Sequence, residues 1–166
     1  MLDSPYISGH GLGGMIAAEM ASLAPQRIAK LVLIAPYGLR LADAPPADIS
    51  ALSPDELARA VWHDRATAPR LGAPQDRSRH AQNLAAAARF TSLIPEKGLR
   101  KRLHRLLPPT LLVWGEHDRI VPLAYAEASR RRIAHSQLLV IPAAAHLPHL
   151  EQPRTFARSV LEFLDG

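Results

Sequence analysis

Three short segments of this 166-residue chain hold residue types that together could break an acyl bond. The first is Gly9-His10-Gly11-Leu12-Gly13-Gly14, which follows the apolar pair Tyr6 and Ile7 and opens a helix-like run from Met15 to Ala24. A Gly-x-Ser-x-Gly in such a strand–turn–helix setting presents a serine at the tip of a strained turn, where its hydroxyl can attack. Here the tip is Gly11. The turn is present and the attacking oxygen is not, and Ser4 and Ser8 lie before the tip, badly placed to replace it. The other two segments carry an acid and a base. The apolar run Thr110–Trp114 leads into Gly115-Glu116-His117-Asp118, and the run Gln137–Ile141 leads into Ala143-Ala144-Ala145-His146. A carboxylate that accepts from imidazole Nδ1–H fixes the tautomer, so that Nε2 can take a proton and the imidazolium is stabilised.

Positioning these residues requires a parallel sheet. Pro5–Ser8, Lys30–Ile34, Thr110–Trp114 and Gln137–Ile141 read as four strands, the last three nearly continuous in apolar residues, as strands covered on both faces are. Helical patterns follow over Gly13–Ala24, Pro122–Ile133 and Arg154–Asp165. Strands alternating with helices predict an α/β fold with a parallel sheet. Asp118 and His146 then stand just past strand C-termini, the edge where open α/β sheets place their sites. Residues 39–105 contain no strand-like run and are rich in Ala, Pro and Arg. A segment this long reads as a helical insertion rather than a loop. Ser53 or Asp55 is placed to cap a helix over Glu56–Trp62, and Ala81–Phe90 reads as a second helix.

Composition narrows the function classes. The chain is 48% hydrophobic and 21% charged, as a globular domain is, and it has no cysteine, which excludes disulfides and thiol catalysis. No run approaches the roughly 20 apolar residues that span a bilayer, and Met1-Leu2-Asp3-Ser4-Pro5 lacks the marks of a leader. No membrane association and a cytoplasmic location are therefore expected. The net charge of +5 comes largely from Arg100-Lys101-Arg102 and Arg130-Arg131-Arg132. Leu99, Leu103, Leu106 and Leu107 supply an apolar stripe at helical spacing beside the first cluster, so these charges read as solvated helix faces and not as a nucleic-acid site. Gly9, Gly11 and Gly14 match a dinucleotide fingerprint in spacing only, because no acidic residue stands near Leu31–Ala35. Glu116, His117 and His149 do not fall in a ligand-spaced helical motif, so neither cofactor nor metal is expected.

Taken in order, the glycine turn, Trp-Gly-Glu-His-Asp-Arg-Ile-Val-Pro at 114–122 and His-Leu-Pro-His-Leu-Glu-Gln-Pro at 146–153 resemble the α/β-hydrolase fold superfamily, from Tyr6 onward. Gln26-Arg27 through Pro36 fits the same resemblance. It implies that Asp118 is the catalytic acid, His146 the general base, Gly11 the nucleophile position and Leu12 the donor of a backbone N–H to the oxyanion. It also implies a division into 1–38 (elbow strand, helix and next strand), 39–105 (helical cap) and 106–166 (the part bearing acid and histidine). The fold expected is a truncated α/β-hydrolase-like parallel sheet of about four strands.

Two departures shape the functional expectation. Serine to glycine at position 11 relieves backbone strain while deleting the nucleophile. Only eight residues precede Gly9, so the chain corresponds to the C-terminal half of the fold and its first strand should be a bare sheet edge. The expected function is a serine-type hydrolase ancestry on ester or related acyl or C–C bonds, with weak or absent activity. The alternative is a binding or assembly module, or a fragment that needs a complementary chain. Trp62, Phe90, Leu52 and Leu57 fit a small apolar or aromatic acyl substrate or serve as cap core. Self-association through the exposed edge is expected.

Overall fold

The computed structural model describes residues 4–39, 41–68 and 98–166, with seven isolated positions between 78 and 89. Four strands, β1 (Tyr6–His10), β2 (Lys30–Ile34), β3 (Thr110–Gly115) and β4 (Ser136–Ile141), form one sheet in the order β1-β2-β3-β4. All three pairings are parallel, with Gly9 beside Leu33, Ile34 beside Val113 and Trp114 beside Val140. This is the parallel sheet that the sequence predicts, each strand shifted by no more than two residues.

Helices cover both faces, and alternation along the strands explains how. Leu31, Leu33, Leu112 and Trp114 face a large core, while Val32, Ile34, Leu111 and Val113 face a second one. Successive strand residues point to opposite faces, so the four unbroken apolar residues of β2 (Leu31–Ile34) and of β3 (Leu111–Trp114) supply both layers. On the first face lie α1 (Gly11–Leu23), α2 (Pro54–Val61) and α3 (Ala124–Arg130). The short helix α4 (Pro148–Glu151) leads into α5 (Pro153–Asp165), whose Phe156, Val160, Phe163 and Leu164 close the second face. Helix α1 sits close to the sheet because its inner side is Gly14, Ala17, Ala18 and Ala21. Its outer side is also apolar: Ile16, Met20 and Leu23 are 51%, 51% and 75% exposed.

Residues 39–68 hold α2, whose start is a reciprocal cap. The Ser53 hydroxyl accepts from the Glu56 N–H, and the Glu56 carboxylate accepts from the Ser53 N–H at 2.9 Å. Of the helix expected over Ala81–Phe90, Gln82, Asn83, Ala85, Ala86 and Arg89 are helical, and the rest lies outside the described residues. The stripe at 99–107 is not an α-helix. It forms two 3-10 turns, Leu99–Lys101 and Leu103–Arg105, that bury Leu99, Leu103 and Leu106 and leave Leu107 62% exposed. Pro108 holds the residue before it out of helical geometry, so the helix cannot run on into β3. Four of the six residues of the basic clusters are engaged within the chain: Arg102 forms a two-pronged pair with Glu19, Arg130 pairs with Glu127, and Arg131 and Arg132 donate to the carbonyls of Glu127 and Ala128. Among the described residues no helix is long and apolar enough to cross a membrane.

Candidate active site

The site is assembled at the C-terminal ends of β1, β3 and β4. Strand β1 ends in His10 with extended backbone, and the chain turns at Gly11 with φ of +54° into α1. That left-handed φ strains any residue with a side chain. Gly9 is required on another ground, since a Cβ there would lie 2.4 Å from the Gly13 carbonyl oxygen. At Gly11 there is room: a Cβ would meet the Tyr37 ring at 3.6 Å and His146 Nε2 at 3.7 Å, both ordinary contacts. The Tyr37 N–H donates to the Gly11 carbonyl at 3.1 Å and fixes the turn from behind. Leu12 is the next residue of α1, in the turn whose N–H groups have no partner within the helix.

Asp118 is held by its own loop. Beyond β3, Asp118 Oδ1 accepts from the N–H groups of Ile120 (2.8 Å) and Val121 (2.9 Å), and the buried Trp114 indole donates to the Val121 carbonyl at 2.9 Å. Asp118 Oδ2 lies 2.9 Å from His146 Nδ1, with the carboxylate wholly buried. The loops are joined at their roots, for the Glu116 N–H donates to Ile141 O and the His117 N–H to Ala144 O.

His146 is tied through its main chain as well. Its N–H donates to the Val61 carbonyl at 3.1 Å, and its own carbonyl accepts from His10 Nε2 at 2.8 Å. A carbonyl can only accept, so His10 carries its proton on Nε2. The rings of His10 and His146 are 4.6 Å apart, and His149 lies 5.1 Å from His10. Burial, reinforced by the neighbouring His146, pushes His10 down to about 4. His149 is lowered for the same two reasons. Burial, with the Asp118 charge behind it, raises Tyr37 to about 12, so its phenol stays neutral beside the site.

The geometry thus brings Gly11, Asp118 and His146 together, with Leu12 beside them. His10, Tyr37 and Glu151 are neighbours that the sequence reading passed over. His10 ends β1 and Tyr37 follows β2 at the same sheet edge, the signal that singled out Asp118 and His146. Glu151 had no local signal. Leu57 is buried in the core and Leu52 packs against it, which accounts for both without a ligand; Phe90 lies outside the described residues. His117 stacks on His63 with centroids 4.3 Å apart, whereas His149 lies against Phe156. Among the described residues no three His, Asp or Glu side chains converge as a metal would require. A cavity of about 420 Å³ opens at the opposite ends of the strands, lined by Lys30, Pro109, Gln137 and Phe163. The Lys30 ammonium there is engaged by the carbonyls of Phe163 and Leu164, away from Asp118 and His146.

Comparison with known proteins bears on the fold and the family. Over 172 residues the chain is 30% identical to the dihydrolipoyllysine-residue acetyltransferase component of the acetoin cleaving system of Pseudomonas putida, covering 96% of the chain and 45% of that protein. It is 27% identical to a pimeloyl-[acyl-carrier protein] methyl ester esterase of Photobacterium profundum, covering 99% of the chain and 73% of the esterase. Among solved structures, a bacterial membrane phospholipase A superposes with a TM-score of 0.73 at 27% identity, over 97% of this chain and 56% of that one. The chain thus spans only part of these relatives, from 45% to 73% of their length. The sequence profile of the alpha/beta hydrolase family matches residues 2–159, and the chain belongs to that family.

Proposed function

We propose that this chain carries the acid and base of a serine-type site for hydrolysing esters of small apolar or aromatic acyl groups, with Gly11 in the nucleophile position. The observation that carries the reading is the 3.7 Å between His146 Nε2 and the point where a Cβ on Gly11 would stand, with Asp118 directly behind the imidazole. With serine at position 11, Oγ attacks the acyl carbon while His146 Nε2 takes its proton. The Leu12 N–H faces the developing oxyanion, and His146 returns the proton to the leaving alkoxide. With glycine, that oxygen is missing. Loss of such a nucleophile removes rate by about 10⁶, so turnover in the chain as it stands is weak or absent. Residues 39–105 serve as the cap over this site, and the ester-cleaving relative supports the substrate class.

The decisive experiment is Gly11→Ser, assayed on an aryl ester. A gain of orders of magnitude is expected, and an unchanged rate sinks the proposal.

A second reading is favoured by the outer face of α1. Ile16, Met20 and Leu23 lie at helical spacing on one exposed stripe, and among the described residues β1 is hydrogen-bonded on one side only, by β2. An exposed apolar stripe on a surface helix marks a contact surface, and an open strand edge invites another chain. This supports self-association of two copies through the β1 edge. Light scattering at tens of micromolar should give a dimer or larger species, and a clean monomer rejects it.

A further inference from the structure

The catalytic role proposed for His146 leaves open what keeps its loop in place. Glu151, the last residue of α4, answers this. One oxygen of its carboxylate accepts from the Ala145 N–H at 2.6 Å; the other accepts from the N–H groups of His63 (2.7 Å) and Asp64 (3.3 Å). Ala145 is the residue immediately before His146. His63 and Asp64 follow α2, in the same strand of chain as Val61, whose carbonyl receives the His146 N–H. The segment also touches the acid loop, through the His63–His117 stack and a hydrogen bond from Arg119 to the Arg59 carbonyl. The 61–64 segment and the histidine loop, far apart in sequence, therefore meet on one carboxylate.

We propose that Glu151 is a positioning residue for His146: its carboxylate locks the 61–64 segment to the histidine loop and so sets the alignment of the imidazole with Asp118. This inference rests on His146 being the base. Three backbone donors converge on an acceptor that carries two oxygens, each able to take more than one hydrogen bond. A neutral amide in its place has one accepting oxygen and must release one side of the joint. A loop freed on either side lets His146 shift, and shifts of about 1 Å at a reacting group cost up to about 10² in rate.

The test uses Glu151→Gln, which keeps shape but not acceptor capacity, and Glu151→Asp, which keeps charge but is one methylene too short to span both sides. The primary readout is nuclear magnetic resonance of the His146 imidazole in the chain with Gly11 unchanged: its Nδ1–H signal and its titration midpoint. Both variants are expected to broaden or lose the signal and to move the midpoint, while the melting temperature confirms a folded chain. Should Glu151→Gln not fold, Glu151→Asp carries the same reading. Unchanged His146 signals in the folded variants overturn the proposal. So does a Glu151→Asp that matches the parent while Glu151→Gln does not, because charge alone would then explain the effect. In the Gly11→Ser background both variants should lower kcat roughly 10- to 100-fold with little change in KM. If Gly11→Ser proves inactive the proposed hydrolase function fails, yet the imidazole measurement still decides the role of Glu151.

Discussion

Asp118 reaches His146 with one oxygen only, because the other is fully occupied: Oδ2 meets Nδ1 at 2.9 Å while Oδ1 receives the N–H groups of Ile120 and Val121. The carboxylate is therefore locked in rotation, and its direction is set by the loop that follows β3. Asp118→Asn would keep the oxygen on the two N–H groups and turn its NH₂ toward Nδ1. That nitrogen must then present its lone pair, which moves the imidazole proton to Nε2 and blocks it as a base. In the Gly11→Ser background, ester hydrolysis should fall by about 10⁴ from the wrong tautomer alone. Steady-state kinetics check the rate, and ¹⁵N shifts of the imidazole check the cause. A rate equal to that of the parent would exclude Asp118 as the orienting acid.

His10 makes the folded chain sensitive to mild acid. Its ordinary value is 6.5, and burial together with His146 lowers it to about 4 in the folded state. Above pH 6.5 both folded and unfolded chains hold it neutral, and it has no effect on stability. As the pH falls from 6.5 toward 4, the unfolded chain takes up a proton that the folded one refuses, so stability drops with pH. The shift sets an upper bound of about 3 kcal/mol on that loss, reduced by the solvent contact His10 retains. Urea midpoints measured from pH 7 to pH 4 should show this decline, and His10→Gln should flatten it. A parallel decline in both chains would assign the acid sensitivity to other groups.

The sheet was legible because its code is local. Leu31 to Ile34 and Leu111 to Trp114 are apolar at every position, which is what a strand covered on both faces demands. The Ser53–Glu56 cap was legible for the same reason, as its partners are three residues apart. Asp118 and His146 could be paired only through their places at strand ends, since 28 residues separate them. The hydrogen bonds made by His10 and Glu151 were out of reach. Their partners, the His146 carbonyl 136 positions away and the His63 N–H 88 positions away, are main-chain groups with no residue signature. At 99–107 the helical spacing of the leucines buried Leu99, Leu103 and Leu106 as expected, yet the backbone took two 3-10 turns, and Pro108 bars only the continuation beyond Leu107.

Trp114 links the core to the acid loop. Its ring is fully buried on β3, and its indole N–H donates to Val121 O at 2.9 Å, the same residue whose N–H binds Asp118. Trp114→Phe removes the donor and leaves a buried carbonyl without its partner, a loss of about 1–3 kcal/mol, with a further cavity cost from the smaller ring. Urea unfolding should show a destabilisation in this range or above it. The same variant should loosen residues 118–121, visible as faster amide exchange at Ile120 and Val121. Unaltered exchange there would mean that the loop holds its shape without the indole.

At Gly11 stability and chemistry should pull in opposite directions. The φ of +54° costs a residue with a side chain about 1–3 kcal/mol, while the neighbours at 3.6 Å and 3.7 Å leave space for the added atoms. Strain, not collision, is therefore the penalty, and it should be nearly the same for alanine and serine. Gly11→Ala and Gly11→Ser should both lower the urea midpoint by like amounts, yet only Gly11→Ser should gain ester hydrolysis. Equal activity in the two variants would show that any gain comes from the altered turn and owes nothing to Oγ. A large destabilisation by serine alone would show that its hydroxyl is not accepted beside His146 Nε2. The pairing of equal strain with unequal activity is the pattern that a vacated nucleophile position must give.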